Sequence, residues 1–151
     1  MDYICIEEMR TKILKNDWPL SYNNWPRNLK ANSLAFALGL PVNNREFFEN
    51  FLNCYCEGDA IQLLEVLLNK LGLAYRKIYE LSEKSRTEYV IILYSNMYGK
   101  DREFNKFYLA RIELDNTIAI KPSWFEPPQK APLASLKTLG SPVAYFAIRK
   151  P

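Results

Sequence analysis

Asn32-Ser33-Leu34-Ala35-Phe36-Ala37-Leu38-Gly39 has the pattern of a short helix that begins at a capping side chain and ends at a glycine. Either Asn32 or Ser33 can accept hydrogen bonds from the first free backbone amides, and Gly39 supplies the left-handed turn that ends a helix. The residues between them are small or apolar, so the helix has almost no polar face. The sequence therefore predicts a helix that is buried against a sheet.

Two segments precede this helix. Residues 4–15 place apolar side chains at helical spacing, with acids first and bases last, and predict a helix. Residues 16–31 cannot form a continuous helix, because Trp18-Pro19 and Trp25-Pro26 push both tryptophans toward extended geometry. We expect an ordered segment that wraps around the protein and is pinned by its two indole rings.

Two more helices are predicted after it, and then the pattern changes. A capping box over residues 43–46 opens a helix that runs to residue 52. Asp59 and Gln62 form a second capping box, and leucines at helical spacing lead from there to Gly72, which ends the helix. From residue 73 onward the period of the apolar residues is two, which is typical of strands.

The second half of the chain predicts an antiparallel sheet. Its strands are expected at residues 75–79, 89–94, 107–114, 117–121 and 143–148. Asp115-Asn116 is a turn pair that suits a hairpin, and the prolines of residues 122–134 predict an irregular loop. Because helices come first and strands afterwards, the sequence predicts an α+β fold with N-terminal helices packed on this sheet.

The composition limits the classes of function. A length of 151 residues predicts one domain, and 48 % hydrophobic residues predict a well-packed core. The net charge is +3 and no block of Lys or Arg occurs, which argues against nucleic-acid binding. No apolar run is long enough to span a membrane, and the N-terminus lacks the pattern of a signal peptide. We expect a cytoplasmic protein.

Metal and cofactor chemistry find no support in the sequence. The chain has no histidine, and Cys54 and Cys56 alone lack the number and spacing of a zinc site. Its five glycines are isolated, so no phosphate-binding loop is present. The third cysteine, Cys5, makes an odd count, and a disulfide framework is not expected. We therefore expect neither a metal nor a cofactor, and reduced thiols.

The segment 32–39, followed by helices and an antiparallel sheet, resembles the papain-like cysteine peptidase and amidase superfamily. It is most similar to a bacterial and phage group whose helix begins Asn-Cys-apolar-Ala-aromatic-Ala-Leu-Gly. A later hairpin in that group carries His-aromatic-x-Arg, an Asp-Gly-like turn, and a strand that ends near Lys-Pro-Gly. Here Arg111, the turn at Asp115-Asn116, and Lys121-Pro122 match that hairpin. The likeness spans about residues 25–125.

This resemblance implies a single papain-like domain over residues 1–151, with a sheet of four to six strands. It places the nucleophile at Ser33 and the base at Tyr108, within one residue. Both chemically decisive residues are thus replaced, because the family uses cysteine and histidine there. The resemblance implies a pseudoenzyme with no catalytic residues.

The first functional hypothesis is a non-catalytic binding protein, encoded by a phage or mobile element, that contacts and inhibits another protein. Its partner would be held by the former cleft and by aromatic side chains, which often dominate interfaces. The residues predicted to bind are Trp18, Trp25, Asn32, Ser33, Tyr108, Arg111, Lys121 and Trp124. The competing interpretation is that most of these aromatic residues fasten loops to the core.

Two alternatives remain. The protein could be a serine-dependent amide or peptide hydrolase in which Ser33 is activated by Lys121 or Tyr108. Their reference pKa values of about 10.4 and about 10 would then have to be lowered by several units. The second alternative is weak nucleic-acid binding through basic residues interleaved with aromatic ones, at Tyr75-Arg76-Lys77 and Lys106-Phe107-Tyr108.

Overall fold

The computed structural model describes residues 5–43, 56–96 and 107–149. Its α-helices are α1 (Ile6–Leu14), α2 (Ser33–Leu38) and α3 (Glu57–Leu71). Short 3-10 helices cover Tyr22–Asn24, Leu81–Glu83 and Leu133–Leu139. The helix predicted over 43–52 lies, apart from its first residue, outside the described residues, as does Cys54.

The strands form one six-stranded sheet. They are β1 (Tyr75–Ile78), β2 (Glu88–Asn96), β3 (Phe107–Ile112), β4 (Ile118–Ile120), β5 (Gln129–Lys130) and β6 (Gly140–Arg149). Their order across the sheet is β1-β6-β2-β3-β4-β5, and all neighbours are antiparallel. The prediction of an α+β fold, with N-terminal helices before an antiparallel sheet, is confirmed.

The central strand β2 packs against apolar cores on both faces of the sheet. Its residues alternate between two apolar cores, with Ile91 in the core shared with the helices and Ile92 in a core on the opposite face. The 3-10 helix Leu133–Leu139 covers the opposite face with Leu136 and Leu139. A strand that is buried on both faces reads as a continuous apolar run, as this one does.

Helix α2 is buried along its whole length, as predicted. The Asn32 side chain accepts a hydrogen bond from the Ala35 amide at 2.9 Å, and Gly39 ends the helix with a φ of 72°. The Leu20 amide donates to the Gly39 carbonyl at 2.8 Å, so the 18–25 segment lies over this end of the helix. A T-shaped contact between Trp25 and Phe36, with ring centroids 5.2 Å apart, fixes the same segment.

Most element ends differ from the prediction by one or two residues, and three differences are larger or change an assignment. Helix α3 begins at Glu57, and Asp59 lies in its first turn instead of capping it. The carboxylate of Asp59 still suits the positive end of the helix dipole there. Gly58, in the same turn, has no heavy atom within 4 Å of the position that a Cβ would take. The region 122–134, predicted as an irregular loop, contains β5 and the start of a 3-10 helix, and a two-residue strand has no periodicity to detect. The last strand is longer than predicted, since it covers Gly140–Arg149.

Candidate functional site

The N-terminal end of α2 lies against strand β3. The Ser33 hydroxyl oxygen accepts a hydrogen bond from the Leu109 amide at 3.3 Å, and the residue is 1 % exposed. The structure thus brings the nucleophile position of the resemblance to the strand that should carry the base. The group of β3 that contacts Ser33 is a backbone amide and not the side chain of a base.

The Tyr108 side chain lies on the other face of the sheet. It belongs to the core opposite the helices, whereas its neighbours Phe107 and Leu109 pack in the core that contains α2. The Tyr108 hydroxyl donates a short hydrogen bond to the Lys121 carbonyl. The structure therefore does not bring the hydroxyl groups of Ser33 and Tyr108 together, and the residues of β3 that face α2 on either side of Tyr108 are apolar.

Lys121 is fully buried and holds the loop that follows β4. Its ammonium group donates to three backbone carbonyls: Ser123 at 2.8 Å, Trp124 at 3.1 Å and Glu126 at 2.8 Å. An ammonium group has three N–H bonds, and these contacts use all of them. To act as a base toward Ser33, Lys121 would have to give up these three hydrogen bonds.

Arg111 binds the C-terminal end of α2. Its Nη1 lies 3.3 Å from the Phe36 carbonyl oxygen and 3.5 Å from that of Ala37, where a cation stabilises the negative end of the helix dipole. Its Nε donates to Glu113 at 2.7 Å. The guanidinium carbon lies 4.4 Å from the ring centroid of Tyr89, within range of a cation–π contact. Arg111 and Glu113 are 3 % and 7 % exposed, so the ion pair is buried.

A cavity of about 220 Å³ adjoins this ion pair. It lies between the 19–23 segment and the β3–β4 hairpin, and its lining includes Pro19, Tyr22, Tyr89, Arg111, Glu113 and Lys130. The Tyr89 hydroxyl is buried and has no hydrogen-bond partner among the described residues. Burial raises the pKa of Tyr89 far above its ordinary value, so the phenol stays neutral. The Glu113 carboxylate accepts a short hydrogen bond from the Tyr22 amide.

Arg111 is predicted from the sequence as a site residue, whereas Tyr89, Glu113 and the cavity are not. A signal was present, because Arg111 and Glu113 are two residues apart in an otherwise apolar strand region and so extend from the same face. Two opposite charges on a buried face are expected to pair. The residues across the cavity are far away in sequence and gave no such signal.

The predicted aromatic binding residues lie in different surroundings. Trp18 and Trp25 are 8 % and 3 % exposed and belong to the core, so their rings offer little surface to a partner. Trp124 is half-buried, and its carbonyl also accepts a hydrogen bond from the Ala31 amide at 3.3 Å. Its neighbour Phe125 is 71 % exposed.

Comparisons with protein-family models, with curated proteins and with solved structures gave no match. Within the described residues, His, Cys, Asp and Glu form no group of three or more that could hold a metal ion. In that same part of the chain, none of the helices combines the length and the apolar character needed to cross a membrane.

Proposed function

We propose that this protein is a non-catalytic binding protein on a papain-like scaffold, and that it acts by contact with another protein. The observation that carries the proposal is the role of Ser33. A nucleophilic serine needs a base that removes its proton. Ser33 instead accepts a backbone hydrogen bond in a buried position, and the Lys121 ammonium donates to three carbonyls.

The placement of α2 supports the papain-like part of the proposal. In that architecture the helix that bears the nucleophile is expected to meet, at its N-terminal end, the strand that bears the base. Ser33 and β3 have this relation here. Tyr108, at the position of the base, lies on the other face of the sheet, so this support is limited to the contact between helix and strand.

We assign the contact with the partner to a surface made of Lys30, Trp124 and Phe125, the aromatic patch. The Lys30 ammonium lies 5.1 Å from the ring centroid of Phe125, and the Ala31 amide fastens the two segments through the Trp124 carbonyl. Exposed aromatic rings beside a cation are typical of residues that dominate binding energy. A partner with an apolar side chain flanked by a carboxylate would fit this patch.

The same proposal places the protein in the cytoplasm, where it would inhibit a host protein on behalf of a phage or mobile element. Cys5 and Cys56 are free thiols in the structure, as is usual for proteins in reducing compartments. The phage context comes from the resemblance of segment 32–39 and not from the fold.

The test is affinity purification of the tagged protein from its native host, followed by titration of the purified partner. Phe125→Ala should weaken binding by at least about tenfold, the scale of a dominant interface residue. The matched control is Tyr79→Ala, which removes an aromatic side chain that is 82 % exposed but lies beyond the end of β1. Its affinity should equal that of the wild type.

A serine-hydrolase activity would contradict the proposal. The protein would then react with a fluorophosphonate probe, and Ser33→Ala would abolish the labelling. We expect no labelling of either protein.

A further inference from the structure

The cavity beside Arg111 and Glu113 contains polar groups whose hydrogen-bonding capacity is not used. Tyr89 is 2 % exposed, and its buried hydroxyl has no hydrogen-bond partner among the described residues. Arg111 donates from Nε and Nη1, and its guanidinium also carries the donor Nη2. A buried polar group without a partner is costly, so this site favours a molecule that supplies an acceptor.

The cavity also carries acceptors. Each carboxylate oxygen of Glu113 accepts one hydrogen bond, from Arg111 or from the Tyr22 amide, and each has a further lone pair. Asp115 lines the cavity as well, and a hydrogen bond from the Thr117 amide lowers the pKa of its carboxyl, so it is ionised at neutral pH. A ligand for this site therefore needs a donor as well as an acceptor.

The charges of the lining sum to zero. Arg111 and Lys130 are positive, and Glu113 and Asp115 are negative. A multiply charged anion such as a phosphate ester would be repelled by the two carboxylates, and a simple cation by the two bases. A molecule with one charge of each sign is complementary to this arrangement.

The size of the cavity limits the ligand further. Its volume of about 220 Å³ is below the range of about 300–1,000 Å³ that is typical of sites for drug-sized molecules. Pro19 and Tyr22 provide an apolar side, and the Lys130 ammonium lies 5.9 Å from the ring centroid of Tyr22. The site thus has room for a molecule of metabolite size with a small apolar part.

We propose that this cavity binds a free α-amino acid in its zwitterionic form. The ligand carboxylate accepts hydrogen bonds from the Tyr89 hydroxyl and from Nη2 of Arg111, and the ligand ammonium donates to the carboxylates of Glu113 and Asp115. The side chain of the amino acid contacts Pro19 and Tyr22. This site lies at the C-terminal end of α2, whereas Ser33 lies at the N-terminal end, and it shares no lining residue with the aromatic patch, so it does not depend on the proposed function.

The test measures binding of the twenty free amino acids to the full chain by isothermal titration calorimetry and by thermal unfolding. At least one should bind saturably and raise the unfolding midpoint. The N-acetyl and the α-amide derivatives of that amino acid, which lack one of the two charges, should bind at least about tenfold more weakly, because each loses charge-assisted hydrogen bonds.

Two variants on β2 separate binding from folding. Tyr89→Phe removes only the hydroxyl and should lower the affinity for the amino acid at least about tenfold. Its midpoint without ligand should not fall, because the hydroxyl has no partner to lose. The matched control is Tyr94→Phe, which removes a hydroxyl on the same strand but on the opposite face of the sheet, and should bind like the wild type.

Three results would overturn the proposal. The first is that none of the twenty amino acids binds. The second is that Tyr89→Phe binds as tightly as the wild type. The third is that the derivatives, or inorganic phosphate, bind as tightly as the free amino acid.

Discussion

Replacing Lys121 by methionine should loosen the loop that follows β4. The ammonium group of this buried residue is the common donor to three backbone carbonyls within residues 123–126. Methionine has a similar length but no donor, so the three carbonyls would lose this hydrogen bond together, while the Trp124 carbonyl would keep the Ala31 amide. The carbonyl groups between β4 and β5 would then have to bind water, or the loop would have to change its conformation.

The size of the effect follows from these contacts. A hydrogen bond to a charged group contributes about 1.5–3 kcal/mol, and methionine avoids the cost of burying an ammonium group. Water can reach some of the carbonyls once the loop moves, so the sum of the three contacts is an upper bound. We expect the free energy of unfolding to fall by about 3 kcal/mol, which lowers the midpoint by about 6–12 °C in a chain of this size.

The assay is urea unfolding followed by tryptophan fluorescence, to which the neighbouring Trp124 contributes. Lys137→Met is the matched control, because Lys137 is exposed on the 3-10 helix Leu133–Leu139, and its change should stay within about 0.5 kcal/mol. If Lys121→Met loses less than about 1 kcal/mol, the ammonium does not hold the loop and the reasoning fails.

Two further predictions concern stability. Gly39→Ala should destabilise the protein by about 3 kcal/mol in urea unfolding, because the φ is 72° and the new Cβ would lie 2.6 Å from that of Pro19. Gly72→Ala has a φ of 76° but no heavy atom within 3.4 Å, and should lose only about 1 kcal/mol; equal losses would contradict the role of the contact. The Arg76 guanidinium lowers the pKa of Glu88 to about 2 from 4.5. Because the folded pKa is the lower one, this stabilisation is present above pH 4.5 and disappears as the pH falls toward 2. Unfolding free energies at pH 6 and pH 3 should therefore differ less in Glu88→Gln than in the wild type.

The elements that the sequence predicts well are those with local signals. The capping residue Asn32 and the glycines at positions 39 and 72 mark helix ends through the conformation of single residues. The apolar runs of β2 and β3 predict strands in the same local way. These signals were enough for the α+β class and for the placement of the helices before the sheet.

The face on which a strand residue lies is harder to predict. The resemblance placed the base at Tyr108 with a margin of one residue, and a shift of one residue moves a side chain to the other face of a sheet. Only the pairing of β3 with its neighbours fixes that face. The structure puts Tyr108 opposite the helices, so a sequence pattern of this precision could not decide whether it meets Ser33.

The cavity depends on contacts that are distant in sequence. The Tyr22 amide meets Glu113 across 91 residues of chain, and no periodicity relates the two segments. The pair of Arg111 and Glu113 was visible as two charges in an apolar region, but its position at the end of α2 was not. That position follows from packing the helix on β3.

The two outermost strands of the sheet affect how the protein behaves when it is concentrated. An unpaired strand edge invites hydrogen bonding with another copy, and long flat edges promote aggregation. Here β1 has four residues, and its exposed Arg76 and Lys77 would bring like charges together. At the other end β5 has only two residues and follows Pro127-Pro128, which lack amide donors. Among the described residues, both borders of the strongly apolar sheet are thus short strands with charges or prolines, which disfavour pairing with another copy.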